Sequence, residues 1–164
     1  MTPDVGAEWI ETALDGLGLD VQRVGDAAWL TVLEGEHKRT LPVYLELRER
    51  NLHVTAFVAG ALDEGHAGVY AQLLARNQRA GPVHFALDDD GDVVLVGQVP
   101  REALDDDVLD EVLGRVLVLA DDAFDAVLRT GFASYLETEQ RWRAKAGLPP
   151  NPIGSPRPSA TRAP

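Results

Sequence analysis

Residues 83–100 read VHFALDDDGDVVLVGQVP. Two apolar runs, Val83–Leu87 and Val93–Val99, flank Asp88-Asp89-Asp90-Gly91-Asp92. An Asp-Gly pair between strand-like runs predicts a β-hairpin, because glycine accepts the positive φ that tight hairpin turns require. Pro100 has no N–H to give a ladder and ends the second strand. Upstream lie four more runs of strand character: Val21–Val24, Trp29–Leu33, Thr40–Leu47 and Leu52–Val58. Gly25-Asp26, Gly35-Glu36 and Arg50-Asn51 punctuate them, and gaps this short imply antiparallel hairpins. In the last of these runs Leu52, Val54, Ala56 and Val58 share one face, and His53, Thr55 and Phe57 share the other.

Helical spacing surrounds the strands. Trp9, Ile10, Ala13, Leu14 and Leu17 mark a first helix over 7–17, and Tyr70, Leu73 and Leu74 a second over about 64–79. From 104 to about 145 apolar residues keep to steps of three or four, through Leu109, Leu113, Leu117, Phe124, Phe132 and Leu136. One helix of that length would reach roughly 60 Å, whereas a domain of this size is about 35 Å across. A break is therefore expected, at Asp121-Asp122 or at Gly131. The order α-β-β-β-β-α-β-β-α(α) specifies an α+β fold, a twisted antiparallel sheet with helices packed on it.

The chain has 164 residues, enough for one domain. That domain is expected over 1–146. Residues 147–164, GLPPNPIGSPRPSATRAP, carry six prolines and are expected to form a disordered tail. Net charge is −12 and it is unevenly spread: residues 86–125 hold thirteen acids against two bases, residues 126–164 two acids against six bases. This balance argues against nucleic acid as a partner. No apolar run approaches the roughly 20 residues of a membrane span and the first residues lack a signal-peptide pattern, so a cytoplasmic protein is expected. With no cysteine, thiolate chemistry and disulfides are excluded.

Few residues offer chemistry. Phosphate-cradling glycine loops are absent. Asp88, Asp90 and Asp92 share the alternation that opens a calcium loop, but Val93 and Val99 stand where glycine and a bidentate glutamate belong, so a solvated turn is expected. His37, His53, His66 and His84 form no ligand pair at metal spacing. Ser134 is the only serine before the tail and lacks a nucleophile setting. No catalytic residue, cofactor or metal is assigned. Trp142 between Arg141 and Arg143 reads either as a partner-binding surface or as a ring packed over the sheet edge while cations complement a helix C-terminus.

The stretches LLARNQRAGPVHFALDDDGDVVLVGQVP (73–100), VLGRVLVLADDAFDAVLRTGFASYL (112–136) and RWRAKAG (141–147) resemble the YbjN-like family. Its members are grouped as bacterial sensory transduction regulators without an established biochemical activity. The resemblance extends over about 5–147 and is nearest to actinobacterial members. It implies a fold like that of type III secretion chaperones, often paired as dimers and able to hold peptide segments of partners. The matching positions are structural: Asn77 at a helix end, Gly91 in the turn, Gly97 where a small residue lets a helix close on a strand, and Gly131 before the last helical segment.

Together these readings lead to a non-enzymatic protein-interaction module, chaperone-like or regulatory, acting as a homodimer on a peptide or protein partner. Leu113, Leu117, Phe124, Phe132, Trp142 and Arg143 are the candidate partner or dimer surface, because the helical apolar face is longer than one domain needs. The alternative is a small-molecule-sensing regulatory domain with a pocket between sheet and helices.

Overall fold

The aspartates of 88–92 build the hairpin turn. The Asp88 carboxylate accepts the N–H groups of Asp90 (3.0 Å) and Asp92 (2.9 Å), and Gly91, at φ +81°, donates to the Asp88 carbonyl. Asp92 turns its carboxylate to the N–H of Ala61 at 2.8 Å. These groups satisfy backbone donors where a calcium loop would aim its oxygens at a cation.

The computed structural model describes residues 5–154. The elements are α1 (Ala7–Gly16), β1 (Val21–Gly25), β2 (Ala28–Leu33), β3 (Leu41–Leu47), β4 (Asn51–Ala59), α2 (His66–Asn77), β5 (Val83–Leu87), β6 (Val93–Pro100), α3 (Asp106–Gly131) and α4 (Ala133–Lys145). The six strands form one sheet in the order β1-β2-β3-β4-β6-β5, every neighbouring pair antiparallel. The chain leaves β4, crosses through α2 to the far edge as β5, and returns as β6 into the gap. The α+β architecture expected from the hairpin spacing is the one observed.

One sheet face carries the core. Trp29, Leu41, Val43, Leu45, Leu52, Val54, Ala56, Val58 and Leu95 are fully buried there, against Ile10 and Leu14 of α1, Val69 and Leu73 of α2, and the length of α3. Gly97 pairs with Val83 across β6 and β5. A Cβ on Gly97 would lie 2.6 Å from a Val83 methyl carbon and 3.2 Å from the Pro82 carbonyl. The small residue therefore admits the neighbouring strand's valine, not a helix as the sequence suggested.

Asp105 caps α3 by accepting the Val108 N–H at 2.8 Å, and Asp106 and Asp107 fill the first turn, where acids favour the helix dipole. The helix runs unbroken through Asp121-Asp122 and stops at Gly131. There a Cβ would meet a Leu62 methyl carbon at 2.6 Å. The Gly131 carbonyl also accepts the N–H groups of Asp63 and Glu64. Phe132 then leaves helical geometry (φ −137°, ψ 31°) before α4. Of the two expected breaks, the glycine is the real one.

Two further expectations change. α2 buries Val69 and Leu73, whereas Leu74 is 68% exposed: the helix lies over the edge strand and needs only a narrow stripe. Of the tail expected to be disordered from 147, residues 148–154 fold back against α3 and α4 and end in a 3-10 turn at Pro152–Gly154. Residues 155–164 lie outside the described residues.

Candidate protein-docking surfaces

The sheet face opposite the core is open. Strand alternation aims Leu30 and Val32 of β2, Pro42 and Tyr44 of β3, Phe57 of β4, and Val94 and Val96 of β6 away from the helices. Val32, Tyr44, Phe57 and Val96 remain between 37% and 47% exposed. The register lines them up across the strands: Gln22, Leu30, Tyr44, Thr55, Val96 and His84 form one row. Val32 faces Pro42, and Phe57 faces Val94. With strands about 4.8 Å apart, the four that carry this apolar band span roughly 15 Å. A polar row borders it, Glu46 to His53 to Gln98. Arg48 ties that row together, 2.7 Å from Glu46 and 3.1 Å from the His53 ring. Burial and the Arg48 charge lower the His53 pKa, against the opposing pull of Glu46.

Lys38, in the β2–β3 loop, stands at the apolar end of this face. Its ammonium sits 5.7 Å from the Phe57 ring and 4.8 Å from the Phe124 ring of α3, and burial lowers its pKa. The loop is latched to α3. Asp121 accepts the N–H groups of His37 and Lys38, each at 2.8 Å, and the His37 ring meets Asp125 at 2.9 Å. Gly35 leaves room for this, since a Cβ there would lie 2.3 Å from the Asp121 carboxylate. Burial alone would raise the Asp121 pKa. The backbone N–H groups of Lys38, His37 and Glu36, with the His37 charge beside them, hold it below its ordinary value of 3.8.

A depressed carboxylate stabilises the fold fully above its unfolded pKa, and the contribution fades as pH falls through the folded value. Asp121→Asn keeps an acceptor oxygen but has no charge to titrate. It should flatten the loss of stability below pH 3.8, read from urea midpoints across an acid series; an unchanged acid slope would remove Asp121 from that balance.

A second apolar feature is a groove of about 260 Å³ between α2 and β5, lined by Tyr70, Leu73, Leu74, Asn77, Phe85 and Leu87 among others. Its one amide side chain, Asn77, is engaged by strand β5. The amide donates to the Phe85 carbonyl at 3.1 Å and accepts the Phe85 N–H at 2.8 Å. The helix-end asparagine thus closes the edge of the sheet.

The six residues nominated from the helical stripe do not assemble into one exposed surface. Leu113 is 3% exposed and belongs to the core, because α3 lies along the sheet and spends its apolar face there. Leu117 and Phe132 are partly buried against the same core, and Phe124 lies beneath Lys38. Trp142 is 60% exposed on α4. Arg143 is held by Glu139 at 2.9 Å and by the Pro149 carbonyl at 3.2 Å. The residues the stripe missed are Val32, Tyr44, Phe57 and Val96. Their signal was present: AWLTVL (28–33) and VVLVGQV (93–99) stay apolar on both parities, where a half-solvated strand would alternate.

Among the described residues no group of three or more histidine or acidic side chains is placed to hold a metal. His53 and His84 share the open face but pair with opposite sides of β6, two residues out of step, about 12 Å apart by strand spacing and rise. No helix of the described residues is long and apolar enough to cross a membrane.

The antiparallel sheet with helices packed on it has the fold of type III secretion chaperones. A chain of the heterodimeric ExoU-SpcU complex of Pseudomonas aeruginosa aligns with a TM-score of 0.54 at 24% identity, covering 70% of this chain and 94% of that one. A chain of the ExsC-ExsE complex gives 0.51 at 21%, covering 70% and 90%. A chain of the HopA1-SchA chaperone-effector complex gives 0.54 at 15%, covering 69% and 88%. At these identities the likeness is one of fold.

The chain belongs to the YbjN family, described as "Putative bacterial sensory transduction regulator", whose profile matches residues 6–129. The match takes in everything from α1 through nearly all of α3 and stops short of α4. Mycobacterial relatives follow the same line. Uncharacterized protein Rv0487 of Mycobacterium tuberculosis is 41% identical over 120 residues, 73% of this chain and 66% of that protein. Uncharacterized protein ML2442 of Mycobacterium leprae is 40% identical over 115 residues, 70% and 62%. The chain thus spans slightly under two thirds of the length of these relatives.

Proposed function

We propose that this chain is a non-enzymatic, chaperone-like interaction module that holds a segment of a protein partner against its open sheet face. The observation that carries the reading is the apolar band of Val32, Tyr44, Phe57 and Val96, which no described element covers. Contiguous exposed apolar surface of this kind marks contact sites. A sheet face suits an extended segment whose alternate side chains are apolar, and the −12 charge favours basic flanks on it. The protein-bound states of the fold's solved relatives agree with such a role. A small-molecule pocket is less well supported, because the α2–β5 groove is lined mostly by apolar side chains and the Asn77 amide in it is already bonded to Phe85.

The module works as a cytoplasmic homodimer in this reading. Leu74 and Leu87, exposed beside the α2–β5 groove, give a self-complementary apolar contact. The basic end of one copy would lie near the acidic block of its mate, so high salt should weaken the pair. Sedimentation showing a salt-insensitive or purely monomeric species at high micromolar concentration removes this arrangement.

The docking face has its own test. Val32→Glu with Phe57→Glu should shift stability by less than about 1 kcal/mol, since both sites are surface. The same pair should abolish recovery of cross-linked partners whose contact peptides map to β2, β3, β4 and β6. Undiminished recovery from a folded double variant would place docking elsewhere.

A further inference from the structure

Residues 148–153, LPPNPI, do more than end the chain. Gly147, at φ +69°, reverses the backbone after α4, and Leu148 donates to the Arg143 carbonyl. The segment then runs back along one face of α4. Gln140 grips it in the manner of a neighbouring strand: its amide donates to the Asn151 carbonyl at 2.7 Å and accepts the Asn151 N–H at 2.9 Å. Arg143 donates to the Pro149 carbonyl at 3.2 Å, and Arg129 of α3 donates to the Ile153 carbonyl at 2.8 Å. The Asn151 side chain gives its amide to Glu139 at 2.9 Å and accepts the Ile153 N–H at 3.0 Å.

The fit between segment and helix face is specific. Residues 149, 150 and 152 are prolines, so 149–153 carry only two backbone N–H groups, and both are bonded. Prolines also preset the backbone and lower the entropy lost on docking. Glu139 selects a side-chain amide at the asparagine position. Glu139 is itself fixed by Arg143 at 2.9 Å, and these bonds from Asn151 and Arg143 keep its carboxylate ionised below the usual glutamate range. Leu136 supplies an apolar floor on the same helix face. It is 7% exposed although it stands outside the main core.

We propose that this face of α3 and α4 is a peptide-reading site for a Pro-Asn-Pro segment that closes in a 3-10 turn with the aliphatic residue that follows. Residues 149–153 fill it as an intramolecular ligand, which a partner protein carrying the same segment displaces. The site is separate from the open sheet face. It is built by Arg129, Gln140 and Arg143 for the backbone and by Glu139 for the asparagine. A short tether presents its own ligand at an effective concentration of order millimolar, so the site in the intact chain is masked.

The test uses the full chain, ¹⁵N-labelled, titrated with the heptapeptide Leu-Pro-Pro-Asn-Pro-Ile-Gly. Asn151→Ala should abolish the exchange protection of the Ile153 amide and tighten peptide binding at least tenfold over the unaltered chain. Replacing asparagine by alanine in the peptide should weaken its binding to that variant at least tenfold. Gln140→Ala, checked for folding by the near-ultraviolet signal of Trp29, should lose both strap protection and peptide binding. The proposal is overturned if Asn151→Ala leaves the Ile153 amide protected. It is overturned equally if the strap is released and the peptide gains nothing, for the segment would then be a passive cap.

Discussion

Leu113→Asp should unfold the domain rather than split an oligomer. Leu113 is 3% exposed on α3, in the cluster that includes Val112, Val116 and the core face of the sheet. Truncation to alanine at such a site costs about 2–5 kcal/mol through lost burial and a residual cavity. Aspartate adds the penalty of a carboxylate with no cationic partner, which either stays charged in a poor medium or takes up a proton. A loss of about 4 kcal/mol or more is expected, against a total stability of about 5–15 kcal/mol for a natural domain. Urea denaturation, followed through the buried Trp29 indole, reads the loss directly. Trp142→Asp is the matched control, since that ring is exposed on α4 and its replacement should move stability by less than about 1 kcal/mol. A Leu113→Asp protein that stays folded and changes only its sedimentation would return this residue to an interface.

The contrast between these two residues shows what periodicity can and cannot reveal. The three-four spacing of Leu109 through Leu136 correctly announced a long helical region, and Gly131 correctly marked a weak point. Periodicity identifies an apolar stripe but says nothing of what covers it. A stripe facing a sheet and a stripe facing a second copy are written alike. The arithmetic that made the stripe look too long assumed that a domain offers one diameter of cover. In the structure α3 lies along the sheet, and most of its stripe is spent on core.

The open face was obscured for the opposite reason. Valine and phenylalanine at outward positions resemble a strand buried on both sides, and only the placement of every helix on the other face leaves them bare. Asp121 does not end the helix; its carboxylate accepts backbone N–H groups of the β2–β3 loop instead. The partner donors, His37 and Lys38, lie more than eighty positions away. By contrast the hairpin at Asp88–Asp92 was legible because the turn, its glycine and its capping carboxylate are all local.

Asn77→Leu should destabilise the sheet at its edge and make the protein associate. In an antiparallel edge strand, alternate residues turn their N–H and C=O outward with no strand to receive them. Phe85 of β5 is such a residue, and the Asn77 amide meets both of its groups, at 2.8 Å and 3.1 Å. Leucine has similar bulk but neither a donor nor an acceptor. Each partly buried backbone group left without a partner costs about 1–3 kcal/mol, softened where water can enter, so a loss of about 2 kcal/mol is expected in urea denaturation. Aspartate at the same position keeps the acceptor for the Phe85 N–H but turns a second oxygen on its carbonyl, and should fall between the two. The freed edge is also a template for strand pairing, and β5 is flanked there by exposed Leu74 and Leu87. Light scattering should therefore show concentration-dependent growth in Asn77→Leu at concentrations where the unaltered chain stays uniform. If the variant melts with the unaltered chain and stays uniform, water has replaced the amide, and the asparagine is not what seals this edge.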